Sequence, residues 1–194
     1  VMRDHHAVLT RELDIFAEGR NQIQLRRNFA DSPLLYVPKV YSQLSRRHML
    51  VMERVYGVPI GQIDTLRAAG VDFQVLAHKG VETFFTQVFD HNFFHADMHP
   101  GNIQVDISNP ADPSYIALDC AIVGSLEQQD IDYLAQNILA FFRRDYRAVV
   151  DLHLRSGWIP ATTDAEAFER VIAEVCDPIF NKPCLLYTSP SPRD

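Results

Sequence analysis

Two histidines, an aspartate and an asparagine crowd into FFHADMHPGN, residues 93–102. Asn102 stands five residues after Asp97, and Asp119 follows seventeen later, closing the apolar run YIALD. A carboxylate, an amide and a second carboxylate in that order suit phosphoryl transfer. Its transition state spreads charge over the phosphoryl oxygens, so positioning and charge neutralisation do most of the catalysis. Asp97 would orient the attacking hydroxyl or accept its proton. Asn102 and Asp119 offer hard oxygen donors for magnesium. Each residue alone also fits a plain polar loop, with Pro100-Gly101-Asn102 as a turn and Asp119 as the cap of a helix near Ser125. The combined spacing favours the chemical reading. His95 and His99 have no third histidine or cysteine at zinc-ligand spacing, so they are expected to brace the loop through backbone hydrogen bonds.

The surrounding pattern must supply the elements that hold these groups. Val8, Leu9, Leu13, Phe16, Ile23 and Leu25 repeat at helical spacing over 4–29, with Gly19 weakening the middle. LLYVPKVYSQLSRRHMLVMERVYG reads as a β-hairpin, with Pro38 placing its first run at an edge or a bend. A short helix is expected over 61–69. Asp72 is placed to cap the next, which reaches about Asp90 with Leu76, Phe84, Phe85, Val88 and Phe89 inward. IQVD and YIALD read as short strands split by the turn-rich SNPADPS. The rest reads as helix. Ser125 with Gln128 suggests a capping box opening a helix to about Arg144, with Leu134, Ile138, Phe141 and Phe142 inward. A helix over 145–156 ends at Ser156-Gly157. Thr163 with Glu166 suggests another capping box, opening a helix to about Cys176. The fold class is α+β: a helix, a hairpin, then a mostly helical body.

Composition narrows the function classes. The chain has 194 residues, of which 47% are hydrophobic and 22% charged, with a net charge of −7. That balance is globular. Acids and bases are interspersed, and nothing resembles a nucleic-acid-binding stripe. No apolar run approaches the ~20 residues of a membrane span. The opening VMRDHHAV lacks both a signal-peptide pattern and an initiator Met, which suggests a chain cut from a longer one. CLLYTSPSPRD, residues 184–194, matches the translation of a transposase-type sequencing adapter, so native sequence is expected to stop near Pro183. Cys120 and Cys176 then remain, far apart in sequence, and reduced thiols in a cytosolic setting are expected.

HADMHPGN resembles the catalytic loop of protein-kinase-like enzymes, and most of all that of the UbiB family of atypical kinases and ATPases. NFFHADMHPGNIQV, YIALDCAIVGSL, QLRRNFADSPLLYVPKVY, MLVMERVYGVPI and FFRRDYRAVVDLHLRSGWIP all resemble stretches of that family, in order, over essentially all of 4–183. The resemblance implies a protein-kinase-like fold with a partial N-lobe and hinge over 1–60 and a helical C-lobe over 61–183. It implies Asp97 as the catalytic residue and Asn102 and Asp119 as magnesium ligands. Met52-Glu53-Arg54-Val55 resembles a kinase hinge, where the Glu53 carbonyl and Val55 N–H would meet adenine. Glu12 and Asp14, in ELD, resemble the family's E-x-D motif beside the nucleotide, and Glu18 a further acidic position of that helix.

ATP and magnesium are thus the implied ligands, and ubiquinone biosynthesis the implied process. The implied location is the cytoplasmic face of a bacterial inner membrane, with ubiquinone-pathway lipids or enzymes as partners and attachment through C-terminal segments beyond this chain. Whether the acceptor is a protein, a lipid-like intermediate or water stays open. So do two rivals: a small-molecule phosphotransferase of the aminoglycoside or choline kinase type, and a non-catalytic pseudokinase module. Two departures bear on activity. Asp119-Cys120-Ala121 replaces the kinase Asp-Phe-Gly, so Ala121 is expected at negative φ. The family's Lys-x-Gly-Gln motif, Ala-rich loop and phosphate-pairing Lys would all lie before Val1, so this piece alone is expected not to turn over ATP.

Overall fold

The computed structural model describes residues 15–180. Glu12, Asp14, the first part of the expected 4–29 helix and the 184–194 tail lie outside the described residues. The described chain divides into two compact units, one running to Leu126 and the other starting at Glu127.

The first unit opens with α1, Ile15–Asn28. It buries Gly19, Gln22 and Leu25, and Phe29 just beyond extends the stripe. Fully burying an aliphatic side chain such as Leu25 stabilises by roughly 1.5–3 kcal/mol relative to leaving it in water. Gly19 does not break the helix. A Cβ there would stand 3.1 Å from Leu50 Cδ1, so the bare backbone is what lets the 50s segment approach. Polar Gln22 takes an inward position because its amide donates to the Pro38 carbonyl at 2.9 Å. Phe16, expected inward, is half exposed.

The strands are β1 (Leu35–Tyr36), β2 (Val58–Pro59), β3 (Phe94–His95), β4 (Ile103–Asp106), β5 (Ser114–Ala117) and β6 (Val123–Gly124). Four form a sheet in the order β1-β5-β4-β2, and β3 pairs with β6. The expected hairpin over 34–57 is only partly present. Val40 bridges Met52 antiparallel, flanked by Tyr41 N–H to Val51 O and Glu53 N–H to Lys39 O, both 2.8 Å. Leu35–Tyr36 instead leaves to pair in parallel with Tyr115–Ile116. Pro38 donates nothing to a ladder. Burial favours the switch, since Leu35 and Val37 join a core with Leu25, Phe29, Ile103, Ala117 and Cys120.

Two helices brace the sheet: α2, Ile63–Ala68, and α3, Phe73–Phe85. Asp72 caps α3 as expected, accepting from Gln74 and Val75 N–H. Tyr115 Oη donates to the Leu76 carbonyl at 2.9 Å, and Lys79 pairs with Asp112 at 2.6 Å, tying α3 to the β4–β5 turn. The helix then widens into a π-helical turn, Thr86–Asp90. Gln87 and Val88 are buried there, and Asn92 turns the chain at φ 43°. Phe84, expected inward, is 45% exposed.

The second unit is a set of three helices: α4 (Gln128–Phe142), α5 (Tyr146–Arg155) and α6 (Ala165–Phe180). Its buried residues include Ala140, Tyr146, Val149, Val150 and Leu152. Tyr146 Oη donates to Asp177 at 2.5 Å, and Tyr133 stacks on Trp158. Neither expected capping box forms. Glu127 occupies the N-cap of α4 without a side-chain bond, and Gln128 donates along the helix to Asp132 instead. Asp164, not Thr163, accepts from Glu166 and Ala167 N–H. Phe142 is 64% exposed rather than inward. No helix among the described residues is long and apolar enough to cross a membrane.

Candidate functional site

β3 and β6 pair His95 with Val123, and the Ala96 N–H donates to the Ile122 carbonyl at 2.9 Å. At the other end of the loop, the Leu118 N–H donates to the Asn102 carbonyl at 3.0 Å, continuing the register in which Ile103 faces Ala117. These two bonds bracket both stretches of interest. Residues 97–102 run beside 118–121, so the backbones carrying Asp97, Asn102 and Asp119 are clamped together.

Within the loop every turn has a partner. Asp97 N–H donates to His95 Nδ1 at 3.1 Å, and Gly101 N–H to His99 Nδ1 at 3.0 Å. The histidines brace the backbone, as expected. His95 is buried, and burial lowers its pKa below the ordinary histidine value, while Asp119 and Asp97 pull the other way. With Nδ1 accepting, the neutral ring carries its proton on Nε2. His95 N–H in turn donates to the buried Gln87 side chain at 2.9 Å, so the π-helical turn supports the loop from below. Asp97 itself is exposed.

The oxygen donors can be followed atom by atom. Asn102 Nδ2 donates to the Asp97 carbonyl at 3.3 Å, which leaves Asn102 Oδ1 as an acceptor. Asp119 Oδ1 accepts from Ala121 N–H at 2.8 Å, which leaves Oδ2. Asp119 therefore closes a local turn and does not cap α4. A carboxylate and an amide oxygen are the hard donors that magnesium takes, so the set fits that ion. Ala121 is not among the described residues with positive φ.

Helix α1 contributes Asn21, which motif reasoning left aside, and Glu18, which it named. Asn21 Nδ2 donates to the carbonyls of Cys120 and Ala121, at 3.0 and 3.4 Å. One turn earlier, Glu18 has its pKa raised, first by burial and then by the Asp119 charge. Burial, Asp119 and Glu18 together push the Cys120 thiol up to about 12. Cys120 is thus a buried core residue, not a nucleophile. Glu18 had one sequence signal, its place on the acidic helix of ELD. Asn21 had none beyond lying three residues further on.

The Glu53 side chain has a separate role. It accepts from Tyr36 Oη at 2.7 Å and from Lys39 N–H at 3.0 Å, with Arg26 Nη1 at 3.9 Å. The Lys39 N–H first, and the Tyr36 hydroxyl second, hold its carboxyl below the usual range. Among the described residues, neither the Glu53 carbonyl nor the Val55 N–H enters a backbone hydrogen bond. A cleft of about 500 Å³ between residues 32–34 and 74–82 is lined by none of these groups.

This loop, set against Asp119 just beyond β5 of a mixed sheet, with a helical unit following in the chain, defines an atypical kinase-like protein. The ABC1 atypical kinase-like domain matches residues 1–153, and the chain belongs to that family. "Probable protein kinase UbiB" of Klebsiella pneumoniae (strain 342) is 55% identical to it over 183 residues, 94% of this chain and 34% of the relative. The proteins of that name from Erwinia tasmaniensis and Marinobacter nauticus are each 56% identical, with the same coverage. The chain therefore spans about a third of the length of these curated relatives. Among solved structures, Rv3197 of Mycobacterium tuberculosis, solved as an erythromycin complex, aligns with TM-score 0.59 at 19% identity. The alignment covers 88% of this chain and 42% of that one, a likeness of fold.

Proposed function

We propose that the protein carrying this chain transfers the terminal phosphoryl group of ATP with Asp97 as the catalytic residue. The observation that carries this reading is the pair of backbone bonds, Ala96 to Ile122 and Leu118 to Asn102, that holds the Asp97 loop against Asp119. Asp97, exposed at the head of the loop, orients the attacking hydroxyl or water and takes its proton. The free oxygens of Asn102 and Asp119 would hold a magnesium ion. A magnesium ion held there would supply neutralisation of the phosphate charge. Asn21 fixes the peptides after Asp119, so the carboxylate is presented without prior rearrangement. The Glu53 carbonyl and Val55 N–H meet the adenine edge at a hinge dividing an N-lobe part, 1–60, from a C-lobe part, 61–183. By the resemblance of ELD to the family's E-x-D motif, Glu12 and Asp14 serve the same nucleotide. By analogy with the UbiB relatives, the process served is ubiquinone biosynthesis at the cytoplasmic face of a bacterial inner membrane, with lipid intermediates or enzymes of that pathway as partners.

A second reading, a nucleotide-binding module without turnover, draws on the same Asn21 contacts, since a pinned Asp-Cys-Ala segment has little room to swing. The experiment that separates them grafts residues 4–183 into a full-length relative and compares Asp97→Asn with the parent graft. Under the catalytic reading, ATP consumption falls by about two orders of magnitude or more while nucleotide affinity holds. Unchanged turnover would remove Asp97 from the mechanism.

A further inference from the structure

Strand β4 alternates along its length. Ile103 and Val105 turn into the core, which leaves Gln104 and Asp106 on the opposite face. Asn102 stands immediately before β4, and its carbonyl, accepting from Leu118 N–H, continues the β4–β5 ladder. Side chains two residues apart in an extended chain share a face, about 7 Å from one another. Asn102 and Gln104 therefore lie on the same side of the sheet. Gln104 is central there, opposite Ile116 on β5 and Pro59 on β2. It also packs against the chain two residues past Val55. A Cβ on Gly57 would stand 3.0 Å from Gln104 Cβ, from Gln104 Oε1 and from Ile116 Cδ1. Gln104 Oε1 is buried and has no hydrogen-bond partner among the described residues. An acceptor in that state has given up water without gaining a donor. A leucine would fill the same space without that cost, so folding alone does not account for the amide.

We propose that Gln104 selects the sugar of the bound nucleotide, its side chain hydrogen-bonding a ribose hydroxyl, so that the site takes ribonucleotides in preference to deoxyribonucleotides. This inference rests on the nucleotide reading above, in which the base meets Glu53 and Val55 and the metal meets Asn102 and Asp119. Gly57 lies two residues past Val55, and Gln104 two residues past Asn102. Their contact falls between the base end and the metal end, and the sugar is the part of a nucleotide that lies there. The donor inventory agrees. The phosphates offer no donor to an acceptor oxygen, and the base edge is met by the Glu53 carbonyl and the Val55 N–H. The 2′ and 3′ hydroxyls remain. A hydroxyl both donates and accepts, so it suits either end of the amide. The last torsion of a glutamine is broad and roughly two-fold, so the amide can turn from Gly57 towards a hydroxyl without moving the strand.

The test is calorimetric titration of the full-length graft with the magnesium complexes of ATP, 2′-deoxy-ATP and 3′-deoxy-ATP. A site that hydrogen-bonds a hydroxyl rejects the analogue lacking it, because its own polar group is then left unpaired. The parent graft should bind ATP about tenfold more tightly than the analogue without the hydroxyl that Gln104 holds, the scale of one such hydrogen bond. The two analogues tell which hydroxyl that is. Gln104→Leu should erase the difference, with ATP weakened to the level of the analogue, while the preference for ATP over GTP stays that of the parent. Gln104→Glu keeps an acceptor of the same reach and should keep the sugar preference, though its charge weakens all the nucleotides alike. Melting temperatures verify that the variants fold, and the comparison on the unmodified graft needs no variant. Equal affinity of the parent for all three nucleotides, or a sugar preference that survives in Gln104→Leu, overturns the inference while leaving the nucleotide reading in place. A change in Gln104→Leu confined to the ATP-to-GTP preference would move the contact to the base and overturn it too. No binding of ATP by the parent graft overturns both.

Discussion

The Asn21 amide donates to the Cys120 carbonyl across a sequence separation of 99 residues. One side chain of α1 thereby fixes the peptide immediately after Asp119. Asn21→Ala removes this bond and the longer one to Ala121. The loss should cost about 1–2 kcal/mol, the usual scale for deleting a partner of part-buried carbonyls. At this chain length that is a fall of several degrees in melting temperature, read by calorimetry. A melt within one degree of the parent would show that the contact contributes nothing to holding the segment.

Glu18 gives a pH signature. Its folded pKa is raised, so the folded state binds a proton more readily than the unfolded chain does. The stability this contributes is full below the unfolded value near 4.5 and is lost as pH rises through the raised folded value. Glu18→Gln removes the buried charge. The variant should be more stable than the parent at neutral pH, with the gap closing as pH falls below the unfolded value. A gap that widens on acidification would mean that the Glu18 carboxylate is held by a favourable partner rather than opposed by burial and by Asp119.

Helix caps separate what the structure shows from what local pattern suggests. Asp72→Ala and Asp164→Ala each remove a side-chain acceptor from two backbone N–H groups and should each cost about 1 kcal/mol. Ser125→Ala and Thr163→Ala should cost a few tenths at most. Urea unfolding of the four variants gives the comparison. A Ser125 effect equal to that of Asp72 would restore the capping box.

The legible parts of the fold are those decided within a few residues. Asp72 before an apolar period announced α3, and IQVD and YIALD announced β4 and β5. Histidines set two residues before Asp97 and Gly101 foretold a braced turn. Legibility fails where distant residues compete. Leu35–Tyr36 reads locally as half of a hairpin, yet pairing with β5, some eighty positions on, buries it better. Ser125 and Thr163 have capping chemistry, but neighbouring Glu127 and Asp164 take the positions because the helices start later than the pattern implies. Asn21 looks like any exposed polar residue of an amphipathic helix, and only the fold brings it to Cys120. Phe84 and Phe142 fit an inward period but lie open, because apolar spacing marks a face without supplying its cover.

The account rests most heavily on Asp119 as a magnesium ligand beside Asn102. The direct measurement is magnesium-dependent ATP binding, by calorimetry, to the full-length graft carrying Asp119→Asn. An amide preserves shape and keeps an oxygen but removes the charge that a divalent ion needs. Affinity for magnesium-ATP should fall about tenfold or more, the scale of removing a charge-assisted contact, while metal-free ATP binding is unchanged. Ala121→Gly should leave both unaltered. Magnesium-ATP binding by Asp119→Asn as tight as that of the parent would contradict the metal-site assignment.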